Sequence, residues 1–131
     1  MGTNMTEAEK KSIAESFITS LRTQDAELLA SITTDDVEWT LPGTCVISGV
    51  ADGVVGIMAR AHGLASREVN LEILYILYGL EDVAIMLHNT SQQGGRVLDE
   101  FLTTVCLLRG DRIHRLNTYI SDVPMLNAFF A

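Results

Sequence analysis

Apolar positions recur with a helical period along the first half of the chain and with a strand period along the second. Thr6 and Glu9 stand at capping-box spacing, which satisfies two free amides at a helix start. Ala14, Phe17, Ile18 and Leu21 then form one apolar stripe that ends near Thr23. A shorter helix follows, with Leu28, Leu29 and Ile32 on one side. Residues 37–41 read as a short strand stopped by Pro42 and Gly43, and 48–53 as a turn-rich link in which Asp52 is placed to cap a helix. Val54, Met58, Ala61 and Ala65 make a third helical stripe. Gly53, Gly56 and Gly63 weaken it in isolation, so packing must hold it.

Four longer strand-like runs follow, at about 69–78, 83–90, 96–108 and 112–121. Their turns are marked by Gly79 with Glu81 and Asp82, by Gln93-Gly94-Gly95 and by Arg109-Gly110-Asp111. Connections this short predict a meander of antiparallel neighbours. The expected architecture is therefore α+β: a cone of three N-terminal helices packed on a curved antiparallel sheet, enclosing one apolar pocket. Runs such as 73–77 and 83–87 are apolar on both faces, so one face covers the pocket and the other needs a partner. A homodimer through the sheet is the simplest one.

The length of 131 residues predicts one domain, spanning 1–131. Only 20% of residues are charged, and the mean hydropathy of +0.23 fits surface buried against a second copy. A net charge of −8 and a pI near 4.7 argue against nucleic acid or an anionic membrane as partner. Arg109, Arg112 and Arg115 are spread around a turn and a strand and read as a solvated face. Cys45 and Cys106 show no disulfide spacing, and neither an export signal in the first eleven residues nor a long apolar run is apparent. The expected location is cytoplasmic.

Asp36-Val37-Glu38-Trp39-Thr40-Leu41-Pro42-Gly43 resembles the acidic, aromatic, Pro-Gly segment after the second helix of SnoaL-like proteins, within the nuclear transport factor 2-like and ketosteroid isomerase-like superfamily. Arg109-Gly110-Asp111-Arg112-Ile113 resembles that family's last hairpin. Leu116-Asn117-Thr118-Tyr119-Ile120-Ser121-Asp122 with Phe129-Phe130 resembles its closing strand and C-terminal aromatic pair. The similarity runs from about Thr6 to the end. It implies a cone-shaped α+β fold, often a homodimer, with a cavity between sheet and helices. Members isomerise steroids, close polyketide rings, hydrolyse epoxides or simply bind ligands, so fold alone selects no chemistry.

The register implied by the resemblance turns Met86, His88 and Thr90 inward, together with Leu98, Glu100 and Leu102 and with Leu116, Thr118 and Ile120. His88 would then meet Glu100 as an acid–base pair in an apolar pocket, or as a buried histidine satisfied by a carboxylate. One step of register exchanges Glu100 for Asp99. Asp122 is expected at the pocket mouth as base or acceptor, or else as a cap before Pro124. The expected pocket lining is Trp39, Thr40, Met58, His62, Met86, Leu102, Leu116, Thr118 and Ile120. Trp39 reads as core or as ligand platform, and in the former case Thr40 takes the opposite face. His62 points into the pocket or lies on the helix surface.

Thr118 stands where several catalytic members carry an aspartate, and a hydroxyl cannot replace that base. The tyrosine and protonated-aspartate pair of the ketosteroid isomerases is not evident, nor is the arginine between two acids of the epoxide hydrolases. His62, His88 and His114 lack metal-ligand spacing, Cys106 reads as packing, and no phosphate loop, dinucleotide fingerprint or nucleophile elbow is present. The expectation is thus a cofactor-independent isomerase or cyclase, with no metal, moving a proton on a small apolar carbonyl compound. His88, Glu100 and Asp122 would carry the chemistry. The alternative is a non-catalytic binding pocket or a dimeric accessory domain.

Overall fold

A computed structural model describes residues 5–131. Met1–Asn4, the start of the stretch read as lacking an export signal, lie outside the described residues. Helix α1 spans Glu7–Thr23 and opens with the expected capping box: Glu9 N–H donates to Thr6 Oγ1 at 3.1 Å, and Thr6 N–H donates to Glu9 Oε1 at 2.9 Å. Its stripe of Ile13, Ala14, Phe17, Ile18 and Leu21 is buried. Gln24, at φ 53°, closes it in a left-handed cap, and the Asp25 side chain starts α2 (Ala26–Ile32) two residues later.

Strand β1 runs Thr33–Leu41, longer than its apolar core suggested, because Thr33 to Asp36 extend it with polar residues. The link read at 48–53 contains a strand of its own, β2 (Gly49–Asp52), paired antiparallel with β1. Helix α3 spans Gly53–Ser66; Asp52 occupies its cap position without a side-chain hydrogen bond. Next come β3 (Asn70–Tyr78), β4 (Asp82–Gln93), β5 (Arg96–Arg109) and β6 (Arg112–Ile120), then a short helix α4 (Val123–Phe129) that was not expected from the sequence.

One six-stranded sheet results, in the order β2-β1-β6-β5-β4-β3. The meander of β3 to β6 is antiparallel as expected, but β1 lies parallel to β6, which makes the sheet mixed. Helices cover one face: α1 lies on β3 and β4, α3 on β1 and β2, and α4 on β5. The core forms there, from Phe17, Ile18, Leu29, Ile57, Ile85, Leu87, Leu116 and Phe129 among others. Among the described residues, no helix is long and apolar enough to cross a membrane.

Candidate functional site

Inward-facing polar groups are few, and strand parity decides which they are. On β4 the buried residues are Val83, Ile85, Leu87 and Asn89; on β5 they are Leu98, Glu100, Leu102, Thr104 and Cys106. A two-residue turn, Gly94-Gly95, joins these strands, with both glycines at positive φ (59° and 79°) and Gln93 facing Arg96. Such a turn suits glycine because both central positions are left-handed. It also pairs every even-numbered residue with an odd-numbered one, so His88 faces Phe101 and Asn89 faces Glu100. His88 and Glu100 therefore lie on opposite faces of the sheet.

This corrects the expected pair. His88 sits on the uncovered face, its Nε2 2.6 Å from Asp99 Oδ1 and its Nδ1 3.5 Å from Glu72, with its ring stacked on Phe101 at 4.6 Å. The Asp99 hydrogen bond is the largest influence and, with the Asp99 charge and Glu72, holds the imidazole above its usual pKa against the opposing effect of desolvation. Met86 and Thr90 share that outward parity and leave the inner set with it. Thr40 is exposed and lines a shallow surface hollow with Pro42, Asn117, Tyr119 and Val123. His62 is on the helix surface, 3.3 Å from the Gln24 side chain.

The rest of the expected lining does face the core side. Leu102, Leu116 and Thr118 are buried, and Met58 and Ile120 pack against the core. Trp39 is buried as well, meeting Phe17 edge-to-face at 5.4 Å between ring centres. Its indole N–H donates to Thr118 Oγ1 at 2.8 Å, and Thr118 Oγ1 lies 2.8 Å from Thr104 Oγ1. Thr118, where the sequence resemblance implied an aspartate in catalytic members, is thus engaged in an internal chain from indole to hydroxyl to hydroxyl.

Glu100 is the exceptional group. It is 1% exposed, and its Oε2 has no hydrogen-bond partner; the facing Asn89, 6% exposed, has an unpartnered Oδ1. Burial, with a smaller contribution from the nearby Asp122 charge, raises the Glu100 carboxyl from 4.5 to about 7. Asp122 itself accepts a hydrogen bond from Met125 N–H at 3.0 Å and so caps α4, which brings its carboxylate to the Glu100 end of the sheet. The geometry joins Glu100, Asp122 and Asn89, and leaves His88 outside. Asn89 was legible in principle from the Gly-Gly turn, whose length fixes the parity. Among the described residues, no group of three or more His, Cys, Asp or Glu side chains is arranged to hold a metal ion.

No protein-family model and no curated protein matches the sequence. Solved structures match over nearly the whole chain. Bal32a, from a soil-derived mobile gene cassette, is 20% identical, with 94% of this chain and 99% of that one covered and a TM-score of 0.82. An NTF2-like protein from Burkholderia xenovorans is 20% identical, over 97% and 99%, with a TM-score of 0.81. A protein from Jannaschia sp. CCS1 assigned as a SnoaL-like polyketide cyclase is 10% identical, over 99% of both chains, with a TM-score of 0.72. With its helices on one face of a curved six-stranded sheet, the chain has the fold of the nuclear transport factor 2-like, SnoaL-like superfamily.

Proposed function

We propose that the inner face of the sheet is a proton-transfer site for a small, largely apolar carbonyl compound, with no cofactor needed. The single observation that carries this is Glu100: a buried carboxyl with a free oxygen and a pKa near 7. At neutral pH such a group holds comparable amounts of acid and base, the condition under which one side chain can both take a proton and return it. Glu100 would remove a proton α to the carbonyl, the electron pair moving to the carbonyl oxygen. Asn89, directly opposite, would offer its amide N–H to that oxygen. In an unsaturated substrate, return of the proton at the far carbon of the conjugated enolate completes an isomerisation; attack of the enolate carbon on a second carbonyl, whose oxygen then takes the proton back from Glu100, completes a ring closure. Asp122 acts on Glu100 through its charge.

Support from relatives is coarse: one neighbour of the same fold is assigned as a polyketide cyclase and another as an isomerase from Rhodopseudomonas palustris. Small ketones incubated in D2O should exchange α-hydrogens in the presence of the protein, followed by proton NMR. The rate should rise with pH through about 7, as the base form appears, and fall by about 100-fold or more in Glu100→Gln. Exchange undiminished in that variant would remove Glu100 from the mechanism. A non-catalytic pocket is the second reading, favoured by the engagement of Thr118 with Trp39 and Thr104. It predicts saturable ligand binding with no exchange at all.

The uncovered sheet face presents Tyr75, Leu77, Phe101 and Tyr119, all large and all exposed by about half or more (65%, 49%, 49% and 63%). We place a second copy of the chain there. Light scattering at micromolar concentration should give the mass of a dimer, and Phe101→Glu, which sets a charge in the middle of the face, should return a monomer. A monomeric native protein would refute the assignment.

A further inference from the structure

On the far edge of the sheet from Glu100, β2 and α3 flank a groove of about 580 Å3. Its rim is apolar and unusually exposed: Val46 is 80% exposed, Val50 56% and Val55 85%. Its wall contains Arg60, which is only 6% exposed. The guanidinium stacks on Trp39 at 4.7 Å and donates to Trp39 O at 2.7 Å and Gly49 O at 2.9 Å. Those bonds use two of the five N–H groups an arginine has. Among the described residues no carboxylate lies within ion-pair distance of Arg60; Asp52 borders the groove but forms no salt bridge with it. Burial pulls the guanidinium down to about 10, with Cys45 offsetting this slightly. A buried cation held only by neutral carbonyls and an aromatic face is costly, and the cost falls when an anion arrives.

We infer that this groove binds a small organic carboxylate with a compact branched or aromatic tail, its anion at Arg60 and its tail against Val46, Val50 and Val55. Ser48, whose hydroxyl lies 3.1 Å from Cys45 Sγ, borders the same space and adds a polar contact at the anion end. The protein's net charge of −8 works against any free anion, so the apolar tail must supply much of the affinity. Acetate and chloride should therefore bind far more weakly than benzoate or isovalerate.

The test is a titration of the intact protein with benzoate and isovalerate, against benzamide and isovaleramide, read by the amide signals of Gly49, Gly56 and Gly63 and the Trp39 indole N–H. Saturable shifts are expected there, with each acid binding at least about tenfold more tightly than its amide, the difference a charge-assisted hydrogen bond makes. Arg60→Met should abolish that preference. Should it fail to fold, Val55→Glu puts a negative charge on the exposed rim instead and should weaken the acids by a similar factor. Glu100→Gln should leave the binding unchanged, which separates this groove from the inner face. Equal binding of acid and amide, no saturable shift, or shifts centred on Asn89 and Glu100 would each overturn the inference.

Discussion

Glu100→Gln is expected to melt well above the native protein at about pH 8.5 and together with it below about pH 4. The ordinary carboxyl value of 4.5 applies to the unfolded chain, whereas the folded one holds its proton to about 7. Below 4.5 both states are protonated and Glu100 adds no pH dependence. As pH rises from 4.5 to 7 the unfolded chain releases the proton and the folded chain keeps it, so native stability falls through that window. Above 7 the loss is complete, at about 3 kcal/mol. Glutamine has no proton to release and escapes the loss, and its amide can donate to the unpartnered Asn89 Oδ1. The gain at high pH should amount to roughly 10 °C in melting temperature. Calorimetry of both proteins across this range is the check; parallel curves would show that Glu100 ionises normally in the folded state. The variant most damaging to the proposed activity is thus expected to be the more stable protein, as when a functional group is held in an unfavourable environment.

Phe17→Ala should be among the most destabilising single changes, at about 3–5 kcal/mol, a large share of the total for a domain of this size. Phe17 is fully buried and is the contact through which α1 grips Trp39. Trp39 in turn holds the Thr118–Thr104 hydroxyls by its N–H and carries the Arg60 guanidinium on its face. Removing the ring leaves a cavity beside the indole, between the elements least able to collapse, since α1 is fixed to β3 and β4 as well. The urea midpoint should drop by roughly 2 M, and Phe17→Leu by much less. A loss under about 1 kcal/mol would mean that the helix repacks over the gap.

Local signals were the most legible part of this chain. The Thr6–Glu9 box, the Phe17 stripe and the glycine-marked hairpins act within a few residues, and each stands where its residue types require. Strand parity was harder to read because β4 and β5 carry apolar side chains on both faces: Ala84 and Met86 alternate with Val83, Ile85 and Leu87. Hydrophobicity then cannot choose a face, and the two-residue Gly94-Gly95 turn is what chooses it. Glu100 took the inward position as expected and His88 did not, because a strand pair has one parity and the two residues needed different ones. Strand β2 and helix α4 were missed for another reason: at four and seven residues, with Gly49 in one and Pro124 in the other, they have little propensity and exist by packing.

The parallel pairing of β1 with β6 bears on how the protein is made. Trp39 and Leu116 are neighbours in the sheet, yet nearly the whole meander separates them along the chain. As the polypeptide leaves the ribosome, β1 and β2 can pair only with each other, and a lone hairpin is marginal. Until β6 emerges, the apolar inner side of β1, Trp39 included, has no sheet to join and must remain exposed or be sheltered by α1 and α3. Completion of the sheet on the β1 side therefore waits for β6, and the nascent chain carries its greatest aggregation hazard in the interval before that strand emerges.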